Sequence, residues 1–246
     1  MEKMNKLLTE YKAVVFDLDG TLYYQRRLRI KMAWMLFTYY LCHFFRIKDI
    51  LIIKRFREIR EHWDKISQSL HEPDAEDTGV TDSLEEAQYK YLADKMKVSR
   101  DRVRDVIETW MYEKPLKAVY ETRDTELIKI MEELKKRGQK VFIFSDYPIE
   151  DKLKALNLKV DGMYAATDER VNALKPDPKG LMIIMEDHSL KPDEILMIGD
   201  RMSRDGMAAQ NAGCDYLILA KNKRERLKTF CTIRKLCYNS NSSINL

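Results

Sequence analysis

Three short apolar runs in this chain each end abruptly in residues that carry oxygen or charge, and that repetition restricts the fold more than any other feature. Ala13-Val14-Val15-Phe16 stops at Asp17, Val141 to Phe144 stops at Ser145-Asp146, and Ile195 to Ile198 stops at Gly199-Asp200. A short apolar run bounded by turn-forming residues reads as a strand buried on both faces, the pattern of a parallel sheet. Helical spacing separates them: Leu127, Ile130, Met131 and Leu134 precede Gly138, and Leu181, Ile184, Met185 and His188 follow later. Tyr216 to Leu219 and Met163 to Ala166 read as further strands. Alternation of strand and helix over residues 119 to 220 predicts right-handed βαβ units and a mostly parallel sheet with helices on both faces. Ligands of such sheets bind beyond the strand C-termini, which is where this chain places its acids and hydroxyls.

Residues 23 to 117 hold no comparable strand and are read as an inserted helical domain, leaving 1–22 and 118–246 as the α/β core. Arg29 to Glu61 is rich in aromatic and aliphatic residues, Thr81 to Lys97 suits a second helix, and Ser99 can cap a third that runs to about Tyr112. His71 to Gly79, with Pro73 and several acids, reads as a loop, and the Ser/Asn-rich end after basic Lys221 to Lys228 reads as fraying. Met32 to Phe45 is strongly apolar, with Trp34, Phe37, Tyr39, Tyr40, Phe44 and Phe45, yet it is shorter than the roughly 18 residues of a membrane-spanning helix. Basic residues flank it, Arg26, Arg27, Arg29 and Lys31 before and Arg46, Lys48, Lys54 and Arg55 after. We read it as a buried helix whose aromatics pack on the other helices of the insert, with contact at a membrane surface as the alternative.

A chain of 246 residues fits one large domain or a medium domain carrying a smaller one. Hydrophobic residues at 45% and charged residues at 34%, with only 8 Gly and 6 Pro, exclude collagenous and largely disordered classes. The net charge of +4 is a small difference between 44 basic and 40 acidic residues and attracts anions only weakly. Nucleic-acid binding is not expected, because the basic residues before residue 66 are offset by the acidic stretch Glu72 to Glu86 and no recognition motif is present. Cys42, Cys214, Cys231 and Cys237 lack paired spacing, and the four histidines complete no zinc pattern, so free thiols in a reducing cytoplasm are expected. Met1 to Tyr11 has no apolar core of signal-peptide length.

The chemistry is concentrated where the strands end. Asp17-Leu18-Asp19-Gly20-Thr21 sets two carboxylates two residues apart beyond a strand, before a glycine that lets the backbone turn sharply. Ser145 ends the next strand, and a helix expected near Pro148 brings amides close to its hydroxyl. Lys175 stands in Lys-Pro-Asp-Pro, where two prolines stiffen the loop around it. Asp200 closes a third strand and Asp205 follows at the next helix start, adding hard oxygen donors. Each element alone is an ordinary turn, cap or surface lysine; together they form a set.

In this order the four elements resemble the motifs of phosphatases of the haloacid dehalogenase (HAD) superfamily. The resemblance covers the core before Tyr23 and from about residue 119 to 220, and the helical insert occupies the place of that family's cap. It implies a Rossmann-like core with a helical cap. It also implies Mg²⁺-dependent hydrolysis of a small phosphorylated metabolite, with Asp17 as nucleophile forming an aspartyl-phosphate and Asp19 as acid and then base. Thr21 supports the first motif, and Ser145, Asp146 and Lys175 contact the transferring group. The metal is expected on Asp17, the Asp19 carbonyl and Asp200, with Asp205 acting directly or through water. Two positions depart from the commonest pattern: Asp146 stands where asparagine is frequent and Arg201 where a small hydroxyl residue is frequent. Arg201 and Arg204 are read as exposed, with pairing to carboxylates or contact with a second anionic group of the substrate as the alternative. The rival readings are a phosphomutase of the β-phosphoglucomutase kind, which shares the intermediate, a phosphonatase, for which no imine-forming lysine stands out, and a non-catalytic binding protein. A monomer or homodimer in the cytoplasm is expected.

Overall fold

The computed structural model describes residues 2, 3, 6–70 and 83–238. The loop expected over His71 to Gly79, the polar end after Tyr238 and the side chains of Cys231 and Cys237 lie outside the described residues; Cys42 and Cys214 are free thiols. The strands are β1 (Glu2–Lys3), β2 (Ala13–Phe16), β3 (Lys140–Ser145), β4 (Gly162–Ala165), β5 (Ile195–Gly199) and β6 (Asp215–Ile218). They form one sheet in the order β1-β6-β5-β2-β3-β4, parallel throughout except for β1, which pairs antiparallel with β6. The alternation of apolar runs anticipates the five parallel strands; two-residue β1 is too short to carry a periodicity.

The helices, in chain order, are α1 (Gln25–Cys42), α2 (Asp49–Glu61), α3 (Trp63–Leu70), α4 (Leu84–Met96), α5 (Arg100–Ile107), α6 (Leu116–Glu121), α7 (Thr125–Lys136), α8 (Glu150–Leu156), α9 (Lys179–His188), α10 (Met207–Asn211) and α11 (Lys223–Tyr238). The chain divides into two compact units: Met1–Leu28 with Val119–Leu246, and Arg29–Ala118.

In the α/β unit the central strands β2, β3 and β5 are buried on both faces, as a parallel sheet requires. Ala13 and Val15, Phe142 and Phe144, and Ile195 and Met197 alternate onto one face, where Leu181, Ile184 and Ala208 pack against them. A second buried feature ties the end of the unit to its start. Arg226 of α11 is 1% exposed, and its guanidinium donates to the carbonyls of Gly20 and Thr21 at 2.9 Å each, to the carbonyl of Ala220 at 3.0 Å and to Asp124 Oδ2 at 3.2 Å. Asp124 Oδ1 in turn caps α7 by accepting from the Leu127 amide.

The helical unit is built as its own core. Ile52, Phe56 and Ile59 of α2, Tyr89 and Leu92 of α4, and Val103 and Ile107 of α5 are buried. Ser99 caps α5 through the Arg102 amide, as expected, and Ser83 does the same for α4 through Glu86. Buried Asp49 pairs with Arg46 at 3.2 Å and Arg102 at 2.6 Å, and buried Arg60 donates to Gln88 at 2.8 Å.

One expectation for this unit fails. Tyr40 is buried and, with Tyr39, packs on Trp110, but Trp34, Phe37, Phe44 and Phe45 are exposed. From Met32 to Cys42 only Thr38 lacks an apolar or aromatic side chain, so this stretch of α1 is apolar around its girth, and the burial of Met32 and Tyr40 leaves its other side in water.

Because Arg226 satisfies four oxygens at once, its loss strands a buried carboxylate. We expect Arg226→Ala to lower the stability of the protein by about 3–5 kcal/mol, read as a shift of the urea midpoint. A shift of less than about 1 kcal/mol would show the cluster to be solvated rather than structural.

Candidate active site

Strand register decides what meets at the C-terminal edge. Phe16 of β2 is level with Ile143 of β3 and with Ile198 of β5. Asp17 follows Phe16 directly, while Ser145 and Asp200 lie two residues beyond the partners of Phe16, so all three leave the sheet along one edge. Carboxylate oxygens of Asp17, Asp200 and Asp205 lie within 4.8 Å of one another, and all three residues are buried. Gly20, at φ +102°, turns the chain beneath them; a Cβ there would meet Asp200 Oδ2 at 2.6 Å, so glycine is required for conformation and for space.

Lys175 joins this acidic group. Its Nζ donates at 2.6 Å to Asp17 Oδ1, at 2.6 Å to Asp205 Oδ1 and at 3.2 Å to the Phe144 carbonyl, and the residue is 1% exposed. The backbone on either side is pinned: the Lys175 amide donates to Asp146 Oδ1 at 2.9 Å, and the Arg204 guanidinium donates to the Lys175 carbonyl. Asp146 therefore holds the lysine loop in place. Arg204, expected at the surface, is buried because that carbonyl needs a donor. Asp205 Oδ2 accepts from the amides of Asp200 and Arg201 at 3.1 and 3.0 Å, which fixes the turn that presents Asp200. Thr21 donates to Asp17 Oδ2 at 2.8 Å.

Asp19 sits with a different cation. Lys152 of α8 donates to both of its carboxylate oxygens, at 2.6 and 2.9 Å, Ser145 Oγ donates at 3.3 Å, and the Tyr23 hydroxyl donates as well. Sequence reasoning missed Lys152 and Tyr23. A signal for Lys152 exists: with Ile149, Leu153 and Leu156 it occupies one i, i+3, i+4, i+7 stripe, and a lysine on a buried stripe calls for a partner.

These surroundings push the carboxyls apart. Burial raises Asp17 well above the ordinary range; Lys175 opposes this, and the charges of Asp205 and Asp200 add to it. Asp200 is raised for the same reasons, burial first and Asp205 second. Burial also acts on Asp19, but the charge and hydrogen bonds of Lys152, with the bond from Tyr23, outweigh it and hold its pKa below the usual value. Lys175 is itself raised, since Asp17 and Asp205 overcome the effect of burial on its ammonium. One ammonium among three close carboxylates leaves an excess of negative charge, and three hard oxygen donors so near each other suit a divalent cation such as Mg²⁺.

Comparison with known proteins identifies the family. Residues 11–213 match the family model described as haloacid dehalogenase-like hydrolase. The chain belongs to that family. The curated pyrophosphatase PpaX of Bacillus cereus is 29% identical over 205 residues, covering 81% of this chain and 79% of that protein. Among solved structures, the HAD-hydrolase YfnB of Bacillus subtilis superposes with a TM-score of 0.57 at 13% identity, covering 92% of this chain and 99% of that one. L-2-haloacid dehalogenase of Xanthobacter autotrophicus also gives 0.57, at 16% identity over 89% and 81%. These structures share the fold, a mostly parallel sheet flanked by helices, and the chain is by family a hydrolase.

The Asp19–Lys152 pair has a pH signature. A carboxyl whose folded pKa is depressed contributes stability above its unfolded pKa of about 3.9 and loses that contribution as pH falls through the lower folded value. Lys152→Met is therefore expected to cost about 3 kcal/mol at pH 7 and clearly less below about pH 4, measured by urea unfolding at both pH values. An equal cost at the two would mean that the ion pair adds nothing.

Proposed function

We propose that this hydrolase cleaves small phosphorylated metabolites through an aspartyl-phosphate on Asp17. The observation that carries the reading is the separation of two carboxylates two residues apart, Asp17 joined to Lys175 and the acidic cluster, Asp19 to Lys152. In the first step an Asp17 oxygen attacks phosphorus as the bond from phosphorus to the leaving oxygen breaks, and Asp19, which must take up a proton against the pull of Lys152, gives that proton to the leaving oxygen. In the second, Asp19, now a carboxylate, takes a proton from water, whose oxygen attacks phosphorus and releases Asp17 and inorganic phosphate. Lys175 and Ser145 bind the transferring oxygens, Thr21 orients Asp17, and Asp146 acts on the phosphoryl group by holding Lys175. Asp17, Asp200 and the Asp19 carbonyl would hold Mg²⁺, with Asp205 behind them; the ion supplies positive charge against the phosphoryl oxygens. The helical unit serves as the cap that selects the substrate.

Asp19 argues for phosphorus over carbon as the centre attacked, because displacing a halide from carbon needs no acid, whereas an alkoxide leaving group does. The pairing of Asp19 with Lys152 supports a second reading. A carboxyl held ionised suits leaving groups that need little protonation, and a phosphoanhydride such as inorganic pyrophosphate releases one of these. The name of the PpaX relatives points the same way. A mutase would return an isomeric phosphate and no inorganic phosphate.

Purified protein is expected to release phosphate from p-nitrophenyl phosphate with Mg²⁺ and to stop when the metal is chelated. Asp17→Asn should abolish turnover, by more than about a thousandfold, with an unchanged circular dichroism spectrum; full activity in that variant would remove Asp17 as nucleophile. Asp19→Asn should slow alkyl phosphates by about 10²–10⁴ and pyrophosphate by less. Equal losses on the two substrates would count against an acid role for Asp19.

A further inference from the structure

Among the described residues, twelve large apolar side chains are exposed, and eight of them lie between Ile30 and Leu51. Ile30, Trp34, Phe37 and Leu41 follow one another at spacings of four, three and four, which draws a single stripe along α1. Trp34 is 67% exposed and its ring lies 5.7 Å from that of Phe37. Past the helix end, Phe44 and Phe45 are more exposed still, at 74% and 69%. Monomeric proteins leave isolated apolar residues in water, but a continuous patch of this kind marks a contact surface.

The charge around the stripe identifies the contact. No acidic residue occurs between Asp19 and Asp49, and Asp49 is buried against Arg46 and Arg102. Arg26, Arg29 and Lys31 are exposed on the first turns of α1, and Lys48 is exposed beyond its end. Basic residues at both ends of an aromatic stripe match the layering of an anionic bilayer surface, with phosphates at the level of the cations and acyl chains below. A second copy of the chain fits less well, since a two-fold interface sets the same patch against itself and would bring these cations together. No helix among the described residues is long and apolar enough to cross a membrane, so the contact is one of lying on the surface.

We propose that α1 is a membrane-surface helix that docks the protein on anionic lipid through Trp34, Phe37 and their neighbours. The inference is independent of the chemistry assigned to the α/β unit. The full chain is mixed with vesicles of phosphatidylglycerol and phosphatidylcholine, or of phosphatidylcholine alone, then sedimented. Binding is expected to the anionic vesicles at low salt, with release at about 0.5 M salt and a blue shift of tryptophan emission that Trp34→Phe removes. Arg29→Glu with Lys31→Glu should weaken binding about tenfold or more. Trp34→Glu with Phe37→Glu, both at exposed positions, should abolish binding while the thermal unfolding curve stays unchanged. Protein left in the supernatant at low salt, or binding unaffected by that double variant, would overturn the proposal. So would a dimer in sedimentation equilibrium that the double variant dissociates, which would make a second copy the occupant.

Discussion

The structure turns on a buried ammonium shared between acids that the chain brings in from distant points. Lys175 reaches Asp17 and Asp205 at the same distance of 2.6 Å, and without it Asp17, Asp200 and Asp205 would stand close together with no positive charge between them. Such a cluster is tolerable in a folded protein because its net charge is lowered from within. The lysine is held by its backbone rather than by its long stem alone: Asp146 grips the amide and Arg204 the carbonyl. A flexible side chain becomes a fixed charge.

The parallel sheet supplies the geometry. With β2, β3 and β5 in register, three polypeptide segments end their strands together, and the polar residues that follow have no choice but to face one another. The two lysines then divide the acids into different electrostatic environments. Lys175 serves Asp17, which burial pushes up, whereas Lys152 serves Asp19, which the charge of Lys152 pulls down. Two aspartates separated by a single leucine thus differ in proton affinity, and the greater affinity lies with Asp17, inside the acidic cluster.

The five parallel strands and their polar ends were legible because apolar runs of strand length stop where the chain changes chemistry. The first-motif acids, Ser145 and Asp200 could be picked out for the same reason, Lys175 by its proline-flanked loop and Asp205 by its place at the next helix start, and the structure sets them together. Lys152 was not legible as a site residue, since its partner lies 133 positions away and a lysine in a helix is ordinarily solvated. Arg204 and Arg226 were hidden in the same way: their partners are mostly backbone carbonyls, which no residue letter marks. The aromatic helix failed for a different reason. Hydrophobicity registers that a surface avoids water but not how many neighbours are available to cover it, and α1 has more apolar girth than its own unit can enclose.

The hold of Arg226 on Gly20 and Thr21 has a consequence for how the enzyme comes into being. The turn that shapes the first motif is made within the first tenth of the chain, yet the donors that satisfy its carbonyls arrive more than two hundred residues later. Until α11 packs against the unit, the carbonyl oxygens of that turn have only water to accept from. A turn near one end of the unit's sequence is thus completed by a helix more than two hundred residues along the chain, so shortening or displacing α11 acts on the first motif from a distance.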